Sequence, residues 1–105
     1  MYRYFCEISY NGTDYCGWQI QPNGISVQET LNKYFTTILR EKIEQTGAGR
    51  TDAGVHAKGM TAHFDVTTPI IDIQKFISNI NNFLPPSIAI NIIYPVKNDA
   101  HSRFS

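Results

Sequence analysis

Residues 26–39 read SVQETLNKYFTTIL, and this stretch predicts an amphipathic helix. Ser26 and Glu29 form a capping box, because the serine hydroxyl can accept from the backbone N–H of Glu29 while the glutamate side chain reaches back. The apolar side chains that follow recur at helical spacing: Val27, Leu31, Tyr34, Phe35, Ile38 and Leu39. One face of this helix is therefore expected to pack on a core.

Strand patterns lie on both sides of this helix. Residues 2–10 and residues 60–67 alternate between apolar and polar side chains, and each stretch predicts a strand. Residues 42–46 are a third, short candidate. Residues 88–96 are an almost continuous apolar run, as expected of a buried strand.

A second helix is predicted to begin at Asp72, which suits an N-cap, and to stop before Pro85 and Pro86. The predicted order is β-α-β-β-α-β, an α+β ferredoxin-like fold with a four-stranded antiparallel sheet and two helices on one face. The other face would be free for RNA or another domain. The 105 residues suit a single domain.

Composition restricts the class of protein. Nine Lys and Arg balance nine Asp and Glu, whereas a free-standing nucleic-acid binder usually carries a basic excess that neutralises phosphates. Cys6 and Cys16 fit no zinc pattern and make no disulfide framework, and Cys6 is expected to be a small buried hydrophobe. No run approaches the ~20 apolar residues of a membrane span, and no signal-peptide core opens the chain. A cytoplasmic protein without membrane association is expected.

Residues 47–57, GAGRTDAGVHA, are the most unusual stretch. Glycine tolerates backbone angles that other residues avoid, and the small residues after Asp52 would let a substrate approach its carboxylate. The stretch fails as a dinucleotide fingerprint because Asp52 replaces the third glycine, and as a P-loop because Val55 and His56 replace Lys and Ser/Thr. A Gly-rich hairpin loop with an Arg50–Asp52 surface pair is the structural alternative.

The three histidines give no sign of a metal site. The spacing of His56, His63 and His101 matches no zinc ligand set, so no metal is predicted. His63 lies on the polar side of its strand pattern, which favours a solvated or paired histidine.

The motif at residues 47–57 resembles the catalytic motif of the TruA-type tRNA pseudouridine synthases. Three further segments agree with that family, in the same order: YNGT at 10–13 leading to GWQIQP at 17–22, SVQ at 26–28, and HSRFS at 101–105. Asn11 stands where Asp is common, and Ser102 where Ala is common. The family continues past the position of Ser105 into a second half, which carries an aromatic residue that stacks on the target base. The chain is therefore expected to be a fragment, or a separately expressed domain, in which residues 1–105 form the domain with the catalytic aspartate.

The resemblance implies a tRNA pseudouridine synthase, an isomerase that needs no cofactor, acts on the anticodon arm of tRNA and is a homodimer at full length. Asp52 is then the catalytic carboxylate. It would act as a nucleophile on the anomeric carbon, as in retaining glycosidases, or remove a ribose proton. Arg50 would hold this carboxylate ionised and fill the space left by the flipped uridine.

The other motif residues receive supporting roles. Loop shape is assigned to Gly47, Gly49, Thr51, Gly54 and His56. Contact with tRNA is implied for His101, Arg103 and Phe104.

Two other classes of function compete with the enzyme. The first is a non-enzymatic RNA-binding module on the ferredoxin-like sheet, which would stack bases on aromatic side chains such as Tyr4 and Phe64. The second is a scaffold or dimerisation domain. A binder has no need of a carboxylate facing RNA and should gain affinity on Asp52→Asn. If Asp52 is not the catalytic carboxylate, the candidates are Asp14, Asp65 or a residue of the second half.

Overall fold

The computed structural model describes residues 1–49, 54 and 56–102. The elements are β1 (Tyr2–Tyr10), α1 (Val27–Leu39), β2 (Thr46–Gly47), β3 (Ala57–Val66), α2 (Ile73–Phe83) and β4 (Ile88–Val96). A single 3-10 turn at Gly12–Asp14 follows β1. The predicted order of strands and helices is confirmed.

The four strands form one sheet in the order β2-β3-β1-β4. Each pairing is antiparallel, and β1 lies between β3 and β4 along almost its whole length. This arrangement confirms the predicted α+β, ferredoxin-like fold.

Both helices cover the same face of the sheet. On β1 that face presents Cys6 and Ile8, which are fully buried. The Phe35 ring of α1 lies 5.1 Å from the Phe64 ring of β3 and 5.7 Å from the Phe76 ring of α2. Edge-to-face rings at such distances stabilise the interface beyond the burial of their area. The core therefore lies between the helices and this face.

The helix starts are fixed locally, as the sequence predicted. The Ser26 hydroxyl accepts from the Glu29 N–H at 3.1 Å, and the Asp72 carboxylate accepts from the Lys75 N–H at 3.1 Å. These side chains satisfy backbone donors that have no partner within the helix.

The prediction for β2 over residues 42–46 was wrong in position and length. The backbone before β2 bonds to α1 instead of to β3. The Ile43 N–H donates to the Thr36 hydroxyl at 3.0 Å, and the Gln45 N–H donates to the Asn32 side-chain oxygen at 2.8 Å. Because α1 already satisfies these donors, pairing with β3 is confined to Thr46 and Gly47.

The prediction that β4 is buried throughout was also wrong. Ile90 and Ile93 are buried, whereas Ile92 is 47% exposed and Tyr94 is 43% exposed. β4 is an edge strand, and only one face of the sheet is covered by helices. Its register also shifts where β1 pairs with Ile90 and Ile92, which lets Ile90 and Ile93 share the buried face. β3, in turn, begins at Ala57, three residues earlier than predicted.

Cys6 confirms its predicted character. The side chain is inaccessible to solvent, and burial raises the pKa of its thiol. Cys6 is therefore an inert core residue. Within residues 1–49, 54 and 56–102, no helix has the length and apolar character to cross a membrane.

Candidate functional site

Residues 47–57, called here the motif segment, connect β2 to β3. Of the described residues in this segment, Gly47 pairs with Ala62 of β3, whereas Gly54 and His56 bond to the turn at the end of β1. Tyr10, the last residue of β1, pairs with Ala57 at the start of β3 and with Ile88 at the start of β4. Three strand ends therefore meet beside the connection. The following candidate residues lie outside the described residues: Arg50, Thr51, Asp52, Arg103 and Phe104.

The first flank of the segment packs tightly on Trp18. A Cβ atom at Gly47 would lie 2.5 Å from Trp18 Nε1 and 2.8 Å from the terminal methyl carbon of Met60. Trp18 is buried, and its ring stacks 6.5 Å from the ring of Tyr10. Only a residue without a side chain allows the indole to come this close. Gly49 has no neighbour within 4 Å of such an atom.

The second flank is fastened to the turn that follows β1, called here the 11–15 turn. Gly54 has a φ of 80°, a backbone angle that favours glycine. Its N–H donates to the Tyr15 carbonyl at 3.2 Å. Two residues later, His56 Nδ1 accepts from the Gly12 N–H at 2.9 Å.

The 11–15 turn is itself held on the chain that leads into β4. The Asn11 N–H donates to the Ser87 carbonyl at 2.8 Å, and the Tyr15 and Ser87 hydroxyls lie 2.7 Å apart. The Asn11 side-chain oxygen accepts from the Thr13 N–H at 3.0 Å. An aspartate would offer the same acceptor, which explains why Asn11 can replace the residue common in the resembled family.

Gln28 joins the segment before α1 to the segment before β2. Its side-chain oxygen accepts from the Ile20 N–H at 3.0 Å, and its amide donates to the Gln45 carbonyl at 2.6 Å. Sequence reasoning gave Gln28 no role of its own, because both partners are distant in the chain.

Residues 100–102 cross the face of the sheet that the helices leave open. The Ser102 N–H donates to His63 Nδ1 at 3.2 Å, and its hydroxyl donates to the Thr46 carbonyl at 3.2 Å. The His101 ring lies 4.6 Å from the His63 ring, edge to face. His63 is therefore buried and paired. The paired alternative was right and the solvated one wrong.

Asp65 belongs to an ion pair on the same open face. Its two carboxylate oxygens accept from Arg3 at 2.8 and 3.0 Å, and this hydrogen bonding lowers the pKa of Asp65. Burial, with Arg3 and His101 nearby, lowers the pKa of His63. Asp65 pairs with Arg3 near the start of β1, whereas Gly54 and His56 bond to the turn that follows the other end of β1. The Asp65 carboxylate is already engaged by Arg3, which argues against a catalytic role for it.

The aromatic residues considered for base stacking are unsuited to it. Tyr4 is 4% exposed and Phe64 is 1% exposed. Their rings stack on each other at 5.8 Å in the core. Neither can reach an RNA base, which removes the observation that favoured a sheet-face RNA-binding module.

No cluster of three His, Cys, Asp or Glu side chains that could hold a metal ion occurs in the part of the chain that the structure describes. The described residues on both sides of Asp52 are instead held by specific contacts, Gly47 against Trp18 and Gly54 and His56 against the 11–15 turn.

Comparison with known proteins identifies a matching family and several similar proteins. A profile of the family described as tRNA pseudouridine synthase matches residues 8–105. The chain is 53% identical to tRNA pseudouridine synthase A of Bacteroides fragilis over 102 residues, which are 97% of this chain and 40% of that protein. It is 53% identical to the protein of the same name from Bacteroides thetaiotaomicron, over 99% of this chain and 38% of that protein. It is 43% identical to tRNA pseudouridine synthase A 1 of Protochlamydia amoebophila, over 100% of this chain and 41% of that protein. The chain thus spans about two fifths of the length of these relatives.

Proposed function

We propose, because this chain belongs to the tRNA pseudouridine synthase family, that it supplies the catalytic carboxylate for converting uridine to pseudouridine in tRNA. The observation that carries the proposal is the GAGRTDAGVHA motif at residues 47–57, in a chain that matches the family from residue 8 onward. We assign the carboxylate to Asp52.

The reaction needs a single carboxylate and no external reagent. The bond from the ribose to uracil N1 breaks, the base turns, and a bond to uracil C5 forms. C5 loses its proton and N1 gains one, so no group donor or redox partner enters the balance. Asp52 either attacks the anomeric carbon or removes a ribose proton. Arg50, two residues earlier, would favour the ionised carboxylate and occupy the space of the flipped uridine, which offsets part of the cost of flipping.

The described flanks support a preorganised loop. Gly47 lies against the Trp18 indole, and Gly54 bonds to the 11–15 turn. In the sequence, Gly47 lies five residues before Asp52 and Gly54 lies two residues after it. Catalytic groups act best when their geometry is set before the substrate arrives.

Membership of the family also supports a proposal for the substrate and the assembly. We propose tRNA as the substrate, with uridines of the anticodon arm as targets, and a homodimer as the complete protein. His101, Arg103 and Phe104 are proposed to contact the tRNA. His101 packs against His63 on the open face, so a tRNA contact there would lie at the segment that crosses the sheet.

The test uses the complete gene product that contains this chain. It is incubated with an unmodified tRNA transcript, without added cofactor, and pseudouridine is measured by nuclease digestion and mass spectrometry. Formation of pseudouridine in the anticodon arm supports the proposal. tRNA binding without any pseudouridine, together with tighter binding by Asp52→Asn, would identify a non-enzymatic RNA-binding protein instead.

A further inference from the structure

We infer that His56 is a positioning residue, which fixes the motif segment on the 11–15 turn so that Asp52 meets its substrate in a set geometry. The inference rests on the proposed function, since it concerns how the same carboxylate is held. It assigns to the His56 ring a specific acceptor role, beyond a general influence on loop shape.

Two hydrogen bonds make the attachment. Gly54 donates its N–H to the Tyr15 carbonyl at 3.2 Å, and Gly12 donates its N–H to His56 Nδ1 at 2.9 Å. The bonds run in opposite directions between the same two segments. Together they attach Gly54 and His56, the described residues nearest after Asp52, to the 11–15 turn at two points.

The bond to Gly12 sets the tautomer of His56. A backbone N–H can only donate, so Nδ1 must carry its lone pair and the proton of the neutral ring must lie on Nε2. The contact is therefore specific to a side chain that presents an acceptor at the Nδ1 position.

The turn that receives His56 is well anchored. Its Asn11 N–H and Tyr15 hydroxyl both bond to Ser87, at 2.8 and 2.7 Å, just before the start of β4. His56 is thus joined through the turn to a second strand end. An attachment to a flexible loop would not position the segment, whereas an attachment to this turn does.

His56 is exposed, although its Nδ1 atom is engaged. It is absent from the buried core, so its replacement removes little apolar packing. The loss should therefore appear in the catalytic rate much more than in global stability. A core histidine would show the opposite pattern.

The test compares His56→Ala with His56→Asn in the complete protein. Asparagine presents its side-chain oxygen close to where histidine presents Nδ1, so it can restore the acceptor. Three quantities are measured: the single-turnover rate of pseudouridine formation, the tRNA dissociation constant at fixed salt, and the midpoint of thermal unfolding. Hydrogen exchange of the Gly12 amide reports the bond itself.

We expect His56→Ala to lower the single-turnover rate by about tenfold or more, because small misplacements of a reacting group carry penalties of that order. Its tRNA affinity and unfolding midpoint should stay close to wild type, and its Gly12 amide should exchange faster. His56→Asn should recover most of the rate and the protection of Gly12.

Two results would overturn the inference while leaving the proposed function intact: an active wild type with an unimpaired His56→Ala variant, or a His56→Asn variant no better than His56→Ala. A wild type that forms no pseudouridine would instead overturn the proposed function, and the inference with it.

Discussion

At Gly47 the Trp18 indole occupies the space that any side chain would need. A methyl group there would come within 2.8 Å of both Trp18 and Met60. Met60 contributes only its flexible terminal methyl, but Trp18 contributes a rigid ring that is buried. Gly47→Ala should therefore lower the free energy of unfolding by about 1–3 kcal/mol, as overpacking does in other cores. Denaturant unfolding followed by Trp fluorescence measures the change.

Gly49→Ala is the matched control for this prediction. No neighbour lies within 4 Å of its added atom, and its φ is not among the positive values, so its stability should be close to wild type. Equal destabilisation by the two substitutions would show that contact with Trp18 is not the cause.

His63 should make stability depend on pH. Its pKa is lowered, first by burial and then by Arg3 and His101, so the folded state favours the neutral ring. The neutral ring accepts from Ser102, and protonation of Nδ1 would break that bond. The resulting stabilisation is complete above the ordinary value of 6.5 and is lost as pH falls below it.

We expect the unfolding free energy to decrease as the pH falls below 6.5. A His63→Gln variant should show a smaller decrease, because glutamine has no ring to protonate at this position. Equal slopes for the two proteins would mean that His63 does not contribute.

At the scale of the elements, α1 ends in an unusual conformation. Arg40 has a φ of 58° and closes the helix by donating its N–H to the Thr36 carbonyl at 2.9 Å. A left-handed angle is costly for a residue with a side chain and nearly free for glycine. Arg40→Gly should therefore raise the free energy of unfolding by about 1 kcal/mol.

Arg40→Ala separates backbone strain from the loss of the side chain. Alanine keeps the strain, so this variant should not gain stability. A gain of the same size in both variants would assign the effect to the arginine side chain. Thermal unfolding of the two variants beside wild type decides the matter.

The helices could be predicted from the sequence because their signals are local. Ser26 and Asp72 cap their own helices through side chains three residues from the partner N–H. β2 could not be predicted correctly, because its neighbours Ile43 and Gln45 bond to α1, at positions that no strand pattern reveals. The exposure of Ile92 depends on which face the helices cover, which is likewise a tertiary property.

The candidate site likewise has features that could be predicted from the sequence and features that could not. The motif containing Asp52 stands out in the sequence through its glycines and its resemblance to a known family. The hydrogen bond between His56 and Gly12 joins residues 44 positions apart, and no local sequence pattern predicts it. Gln28 was overlooked for the same reason, since it acts by linking two distant segments.

At the scale of the whole molecule, residues 1–105 cover about two fifths of the relatives' length and carry no net charge. We expect a protein limited to these residues to bind tRNA weakly, with affinity that falls as salt rises. On the proposed function it should form no pseudouridine, because we expect that so small a share of the complete protein cannot exclude water from a detached base. Filter binding at two salt concentrations and mass spectrometry of the tRNA test both expectations. Pseudouridine formation by residues 1–105 alone would contradict the second expectation.

The most direct measurement is single-turnover pseudouridine formation by the complete protein and its Asp52→Asn variant, with tRNA affinity measured in parallel. Asparagine is nearly isosteric, so stability should change by less than about 1 kcal/mol. The Asp52→Asn variant should bind tRNA but form no pseudouridine, whereas Asp14→Asn, which alters an exposed carboxylate of the 11–15 turn, should retain the wild-type rate. If Asp52→Asn keeps a substantial fraction of that rate, Asp52 is not the catalytic carboxylate.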